Sequence, residues 1–324
     1  MWGVTGIPYI KIQEMSGIGS PILIYSQLKG ALDMNWFDRM NSALEYIEDN
    51  LSGEIDYSAA AEKAQCSVSN FHRMFSFVVD FPLSEYIRRR RLSLAAMELK
   101  RSDIKIIDLA LKYGYESPDS FTRAFQKLHG IAPSMARKQE AQLKVYPRIS
   151  FQISIKGDVE MNYRIVEKEQ VKVFGKSIAV GIDEDPNEIL PKLWVDIQED
   201  GTYQRICKAA GAKPYEDISL GGAFYDSEDP KSVKYNYMIF TEYEDGMEIP
   251  QDLDSMTIPG GKWAVFTEGY DDVDECSSKV QSLWRRLMSG WILSSEYHIA
   301  KGPQLEAYPL DRNVVEIWIP LLEK

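Results

Sequence analysis

Nine residues, Ser67-Val68-Ser69-Asn70-Phe71-His72-Arg73-Met74-Phe75, return fifty positions later as Ser117-Pro118-Asp119-Ser120-Phe121-Thr122-Arg123-Ala124-Phe125. In both copies the phenylalanines stand four apart and share one helical face, while the arginine between them points the other way. Each copy opens on a serine suited to N-capping, and the second adds proline at the first helical position. Ala60 and Ala64 precede Phe71 at the distances at which Ala110 and Gly114 precede Phe121. Small residues four apart let a following helix cross closely, as a helix-turn-helix requires. An amphipathic helix with a solvated arginine would explain one copy; two copies with matched caps and small residues predict two helix-turn-helix motifs. The stretch between them, about 82–101, reads as one long helix that holds the motifs apart, and successive major grooves lie roughly 34 Å apart. An arginine near the start of such a helix pairs with guanine, an interaction worth about 1–3 kcal/mol of discrimination.

The net charge of -12 over 324 residues looks wrong for a partner of nucleic acid until the chain is divided. Residues 34–148 hold 17 Lys and Arg against 15 Asp and Glu, whereas residues 149–324 hold 18 against 32. The first stretch tolerates phosphate and the second repels it, so double-stranded DNA is expected to meet residues 34–148 alone. The three cysteines, Cys66, Cys207 and Cys276, are too scattered for a disulfide framework or a zinc site, which suits a reducing, cytoplasmic setting. No cofactor is expected and no metal site is visible, and no membrane partner is expected because no apolar run nears the ~18 residues a spanning helix needs.

Four segments follow. Residues 1–33 carry no helical or strand periodicity and read as a disordered extension or as sequence upstream of a true start at Met34. Residues 34–145 read as an all-α tandem helix-turn-helix domain, with breaks at Ser52-Gly53, Gln65–Ser67, Asp80–Pro82, Arg101–Asp103 and Gly114–Pro118. Residues 146–159 read as a linker. Residues 160–324 alternate strand and helix texture and read as a second, α+β domain.

The tandem motifs, with Ser84-Glu85-Tyr86-Ile87-Arg88 and the closing run Gly114-Tyr115-Glu116-Ser117 to Gly130-Ile131-Ala132-Pro133, resemble the AraC/XylS family of transcription regulators over about residues 36–140. The resemblance implies base-facing positions at Ser69, His72 and Arg73 in the first motif and at Asp119, Ser120 and Arg123 in the second. The chain departs from the family where Ala136 replaces a tyrosine and Asp80 a glycine; aspartate tolerates a left-handed turn at modest cost. Asp119 reads either as a partner of cytosine or, preferred, as a cap on its own helix. The run Arg88–Arg91 reads either as a face of ion pairs or, through Arg88 and Arg89, as a contact to backbone phosphate.

Residues 160–323 resemble the GyrI-like effector-binding domain through Gly260-Gly261-Lys262-Trp263-Ala264-Val265-Phe266, Leu283-Trp284, Gly290-Trp291-Ile292, Gly302–Pro309 and Val315–Pro320. That implies a pseudo-duplicated (SHS2-type) α+β fold, with halves beginning near Tyr163 and Met256. On an alternating strand Glu306 shares a face with Gln304 and Tyr308. A carboxylate among aromatics suits an organic cation through ion pairing and cation–π attraction; an exposed strand-end carboxylate is the alternative. The resemblance makes Glu306 the ligand-binding acid. Trp291, Tyr225, Phe224, Trp263, Tyr297 and Tyr308 are candidate walls, whereas Trp284 and Trp194, on helical stretches, read as packing.

The sequence therefore predicts a non-enzymatic, sequence-specific transcription regulator, an activator on family expectation, controlled by a small cationic or amphipathic effector and working with RNA polymerase. Alternatives are a hydrolase or a protein-interaction module in the second domain. No coiled-coil seam sets an oligomeric state.

Overall fold

The computed structural model describes residues 36–138, 140–151, 161–229, 232–291, 297 and 299–322. The extension expected over residues 1–33 lies outside them.

The helical part opens with α1 (Trp36–Asp49), whose buried stripe of Trp36, Met40, Leu44 and Ile47 follows the 3.6-residue period. The first motif is α2 (Tyr57–Ala64) and α3 (Val68–Val79), with Gln65 turning left-handed between them. Ser67 caps α3 through the Asn70 amide, and Asp80 ends it at φ 62°, the left-handed turn expected of that position. The joining helix α4 (Leu83–Arg101) leads to α5 (Ile106–Lys112) and α6 (Pro118–His129), the second motif, which Ser117 caps and Gly130 closes. A short α7 (Pro133–Ala136) follows. Ala136, where a tyrosine was expected, is fully buried in the core of the second motif with Leu92, Leu99, Phe121 and Phe125.

The stretch expected to begin a linker at residue 146 is bound to the helices as far as Phe151. The Phe151 amide donates to Asn41 Oδ1 at 2.8 Å and its carbonyl accepts from Asn41 Nδ2 at 2.8 Å. Its ring lies edge-on to Trp36 and Phe75. The helical part thus reaches Phe151, because an aromatic side chain at the end of a polar stretch finds a place in the core.

The second part is one antiparallel sheet of β1 (Tyr163–Lys168), β2 (Val171–Val180), β3 (Gly221–Asp226), β4 (Tyr235–Glu242), β5 (Asp254–Ile258), β6 (Gly261–Gly269), β7 (Gln304–Ala307) and β8 (Val314–Leu321). Their order is β1-β6-β8-β7-β3-β4-β2-β5. Exchanging β1 with β5, β2 with β6, β3 with β7 and β4 with β8 reproduces that order reversed, so the sheet is a pseudo-twofold duplication about the β7–β3 boundary. Each half gives its first strand to the edge of the other: β1 pairs with β6, and β5 with β2. The helices α8 (Pro186–Glu199), α9 (Thr202–Ala209) and α10 (Cys276–Arg286) connect the strands. One face of the sheet carries Phe224, Tyr237, Phe266 and Ile317 into a single core with α8, α10 and the first motif. The other carries Val173, Met238, Trp263, Val265 and Leu305.

Candidate functional site

Glu306 stands at the centre of the sheet, on β7, opposite Gly222 of β3 and Ile317 of β8. Its carboxylate is buried at 6% exposure. Three neutral donors converge on it: Trp284 Nε1 gives to Oε1 at 2.6 Å, Tyr237 Oη to Oε2 at 2.7 Å, and Tyr308 Oη to Oε2 at 3.2 Å. Trp194 Nε1 donates to Tyr237 Oη at 3.0 Å and so orients that hydroxyl. Gly222 makes the arrangement possible, since a Cβ there would lie 2.2 Å from Tyr237 Oη and 2.8 Å from Glu306 Oε2. Burial raises the pKa of Glu306 above the usual carboxylate range, while the three donors pull it back. Burial and the adjacent carboxylate hold the Tyr237 and Tyr308 hydroxyls well above the ordinary tyrosine value, so both remain donors.

The cation beside this carboxylate comes from the first helix-turn-helix. Arg73 of α3, 4% exposed, lies with Cζ 4.6 Å from the centre of the Phe224 ring and 5.5 Å from that of Trp284. A desolvated guanidinium over such rings gains about 2 kcal/mol. Its Nη2 donates to Gln304 Oε1 at 2.6 Å and to Asn70 Oδ1 at 2.9 Å, and its Nη1 is buried without a hydrogen-bond partner. Glu306 and Asp226 attract it through space, but no carboxylate stands within ion-pair distance of it among the described residues. One turn on, Phe77 stacks on Trp284 with ring centres 5.7 Å apart and meets Phe224 edge-on at 5.8 Å. The helix α3 touches both α8 and α10. At its start Ser67 and Ser69 donate to Asp226 Oδ1, and past its end Asp80 pairs with Arg285 at 2.8 Å.

Ser69, His72 and Arg73, expected to face base edges, are therefore buried in this conformation, and the covering side chains come largely from the second domain. The second motif differs: Asp119 and Arg123 are exposed and Ser120 half-buried. Ser117, not Asp119, caps α6, so the preferred reading of Asp119 is corrected; it lies in the first turn, where the helix dipole favours a carboxylate. Arg88 and Arg89 both pair with Glu85, at 2.6 and 2.5 Å, because Glu85 stands three and four residues before them. Arg90 pairs with Glu48 at 2.6 Å and Arg91 donates to the carbonyl of Leu51 at 3.0 Å. The arginine run braces the helical part through these ion pairs and hydrogen bonds.

Of the candidate walls, Phe224 and Tyr308 adjoin Glu306. Tyr225 and Trp263 do not: the two-residue period of a strand puts them on the opposite face, Tyr225 bonded to Ser177 Oγ at 3.1 Å and Trp263 packed with Trp318. Trp291 stacks on Tyr297 and meets Phe266 on β6, two strands away from β7. Trp284 and Trp194, read as packing, prove to be the polar supports of the site, as does Tyr237. Only the placing of the alternating segment Tyr235–Phe240 beside β3, and of β3 beside β7, would have disclosed Tyr237. A further cleft of about 710 Å³ opens along Phe240, Leu305, Glu316 and Trp318.

Two families match. Residues 60–139 match one described as a helix-turn-helix domain, and residues 164–321 one described as an integron-associated effector binding protein. The HTH-type transcriptional activator AarP of Providencia stuartii is 38% identical over 98 residues, 30% of this chain and 73% of AarP. The multiple antibiotic resistance protein MarA of Escherichia coli is 33% identical over 103 residues, 32% of this chain and 81% of MarA. A solved integron cassette protein of Vibrio cholerae is 13% identical, aligned over 49% of this chain and 95% of its own, with a TM-score of 0.35.

Proposed function

This chain belongs to the AraC-type helix-turn-helix transcription regulators, with an effector-binding domain attached, and on that premise we propose that an organic cation bound at Glu306 controls its hold on promoter DNA. The observation that carries the reading is the Glu306 carboxylate, buried against Phe224 and Trp284 and steadied by three neutral donors. A buried carboxylate without a close cation is costly, and neutral hydrogen bonds offset only part of that cost. A planar cation with an apolar body meets both needs, through charge and through the aromatic faces. No catalytic role is needed for Tyr237 or Tyr308, whose raised pKa values suit donors rather than bases.

On the DNA side, Asp119, Ser120 and Arg123 serve as the base-reading positions of the second motif, and Ser69, His72 and Arg73 as those of the first. RNA polymerase is the partner through which such a regulator acts, in the bacterial cytoplasm. The test is calorimetry of the full chain with phenethylguanidinium and with its neutral isostere, phenethylurea. The expected result is binding of the cation alone, weakened on the order of a hundredfold by Glu306→Gln, a change comparable to removing one partner of a buried charge pair. Equal binding of cation and urea, or indifference to Glu306→Gln, refutes the assignment.

A further inference from the structure

The helix that should read DNA in the first motif fills the cleft that should receive the effector. From that juxtaposition we infer that α3 is a built-in occupant of the effector site, with the Arg73 guanidinium in the place of the ligand's cation, so that effector and α3 exclude one another and the effector frees the first motif for DNA. This rests on the reading of Glu306 as the effector's carboxylate.

Three features carry it. The guanidinium lies over Phe224 and Trp284, the rings beside Glu306, so a ligand using them must move Arg73. The seat is imperfect: Arg73 Nη1 is buried without a partner, a cost that a ligand pairing directly with Glu306 does not share. Phe77 lies on the same two rings, so a ligand that takes them displaces it together with Arg73, and the attachments at the two ends of α3 reach the rim. Asp226, exposed at the end of β3, holds the start of α3 through Ser67 and Ser69, and Arg285 holds its end through Asp80. Exposed contacts such as Asp80–Arg285 are individually weak, so the hold on α3 rests chiefly on Arg73 and Phe77, whose ring partners the effector takes over. The second motif stays open throughout, with Arg123 exposed, so the chain can rest on DNA by one motif while the other is stowed.

The ligand is thereby described more closely: a planar, delocalised cationic head in the place of the Arg73 guanidinium, on an apolar body that meets the rings of Phe224 and Trp284. A ligand that favours the released state shifts the population by its differential affinity and no more. By reciprocity, DNA bound through both motifs must raise affinity for the effector by the same factor.

Cys66, one residue before the Ser67 cap, reports on docking. Burial pushes its thiol up to about 12, and release returns it toward the ordinary range and makes it reactive. In the full chain, Cys66 alkylation is followed by peptide mass spectrometry at pH 8 in the wild type, Arg285→Ala, Asp226→Ala and the double variant. Arg285→Ala is the cleaner arm, because Arg285 sits at the end of α3 away from Cys66, whereas Asp226 acts on the thiol directly. Both positions are at the surface rim, and Asp226→Ala supplies a second route should either variant fold poorly. A duplex selected from a randomised pool with the double variant serves as the DNA probe. The double variant should alkylate on the order of tenfold faster, bind that duplex tighter by a similar factor, and bind phenethylguanidinium more tightly; the cation should also speed alkylation in the wild type. Unchanged alkylation in every variant shows that α3 is not held, and faster alkylation with unchanged DNA affinity shows that docking blocks nothing; either overturns the inference while leaving the regulator in place. Failure of the double variant to enrich any duplex overturns the functional reading as well.

Discussion

At the scale of single residues, the chemistry of the site is set by what the carboxylate and its neighbours lack. Among the described residues, Glu306 has three donors and no cation within ion-pair distance, and Arg73 has two acceptors and no carboxylate within ion-pair distance. His72, beside them on α3, is buried edge-on to Tyr57, and burial lowers its pKa to about 4. The sign follows from linkage: a histidine whose value is lowered on packing binds its proton more readily when released. The packed arrangement is at full strength above pH ~6.5 and loses strength as pH falls toward 4, the interval between the usual value and the packed one. At pH 5 the released state should gain about 30-fold, or ~2 kcal/mol, from this residue alone. Tyr57 meets it edge-on and Arg73 follows it on α3, and neither tyrosine nor arginine titrates in that interval. Histidine C2–H resonances of the full chain, followed over pH 3.5–8, should show one midpoint near 4 that moves toward 6.5 in the Arg285→Ala/Asp226→Ala chain. A wild-type His72 midpoint already at the unperturbed value would mean that the side chain is in water. Glu306 was legible in the sequence because strand alternation and a family signature coincide on it. Trp284 and Tyr237 were not, because a tryptophan on a helix and a tyrosine on a strand look like core until the strands are placed in register.

Between elements, the two copies of one sequence pattern meet opposite fates. Both helices bury their phenylalanine pairs, Phe71 with Phe75 and Phe121 with Phe125, and the repeat predicts that much correctly. What periodicity cannot predict is the burial of the polar side of α3, because the surface that covers it lies more than a hundred and fifty residues later in the chain. Asp80 illustrates the same limit. Its left-handed turn was legible as a departure from glycine, but its partner Arg285 was not. Arg123, exposed on α6, is free of this complication. Arg123→Ala should cost about 1–3 kcal/mol in affinity for a selected duplex and much less for random DNA. Competition binding of the two duplexes to the wild-type and variant chains measures the difference. Equal losses on both would make Arg123 a phosphate contact and remove the second motif's role as a reader.

Over the whole molecule, charge and topology act together. Residues 149–324 carry 18 basic and 32 acidic side chains, and α3 is stowed against this acidic part. DNA approaching the first motif therefore meets both a covered reading face and an unfavourable field, whereas the second motif keeps Asp119 and Arg123 exposed. The consequence is readable in salt dependence, because the logarithm of a DNA-binding constant falls with the logarithm of salt in proportion to the phosphates neutralised, about 0.9 per contact on duplex DNA. A chain resting on one motif neutralises fewer phosphates than a chain using both. The slope for the wild-type chain without effector should be shallow, and the slope with saturating phenethylguanidinium should steepen by one to a few units. The Arg285→Ala/Asp226→Ala chain should show the steeper slope with no cation added. Fluorescence anisotropy of a labelled duplex from about 50 to 200 mM salt, where such slopes are well separated, provides the measurement. A slope that stays the same in all three cases would mean that the first motif contributes no phosphate contacts on release, and the gain in affinity would then have to come from base contacts alone. A slope that becomes shallower with the cation would reverse the direction of control, with the effector strengthening the hold of the acidic part on α3.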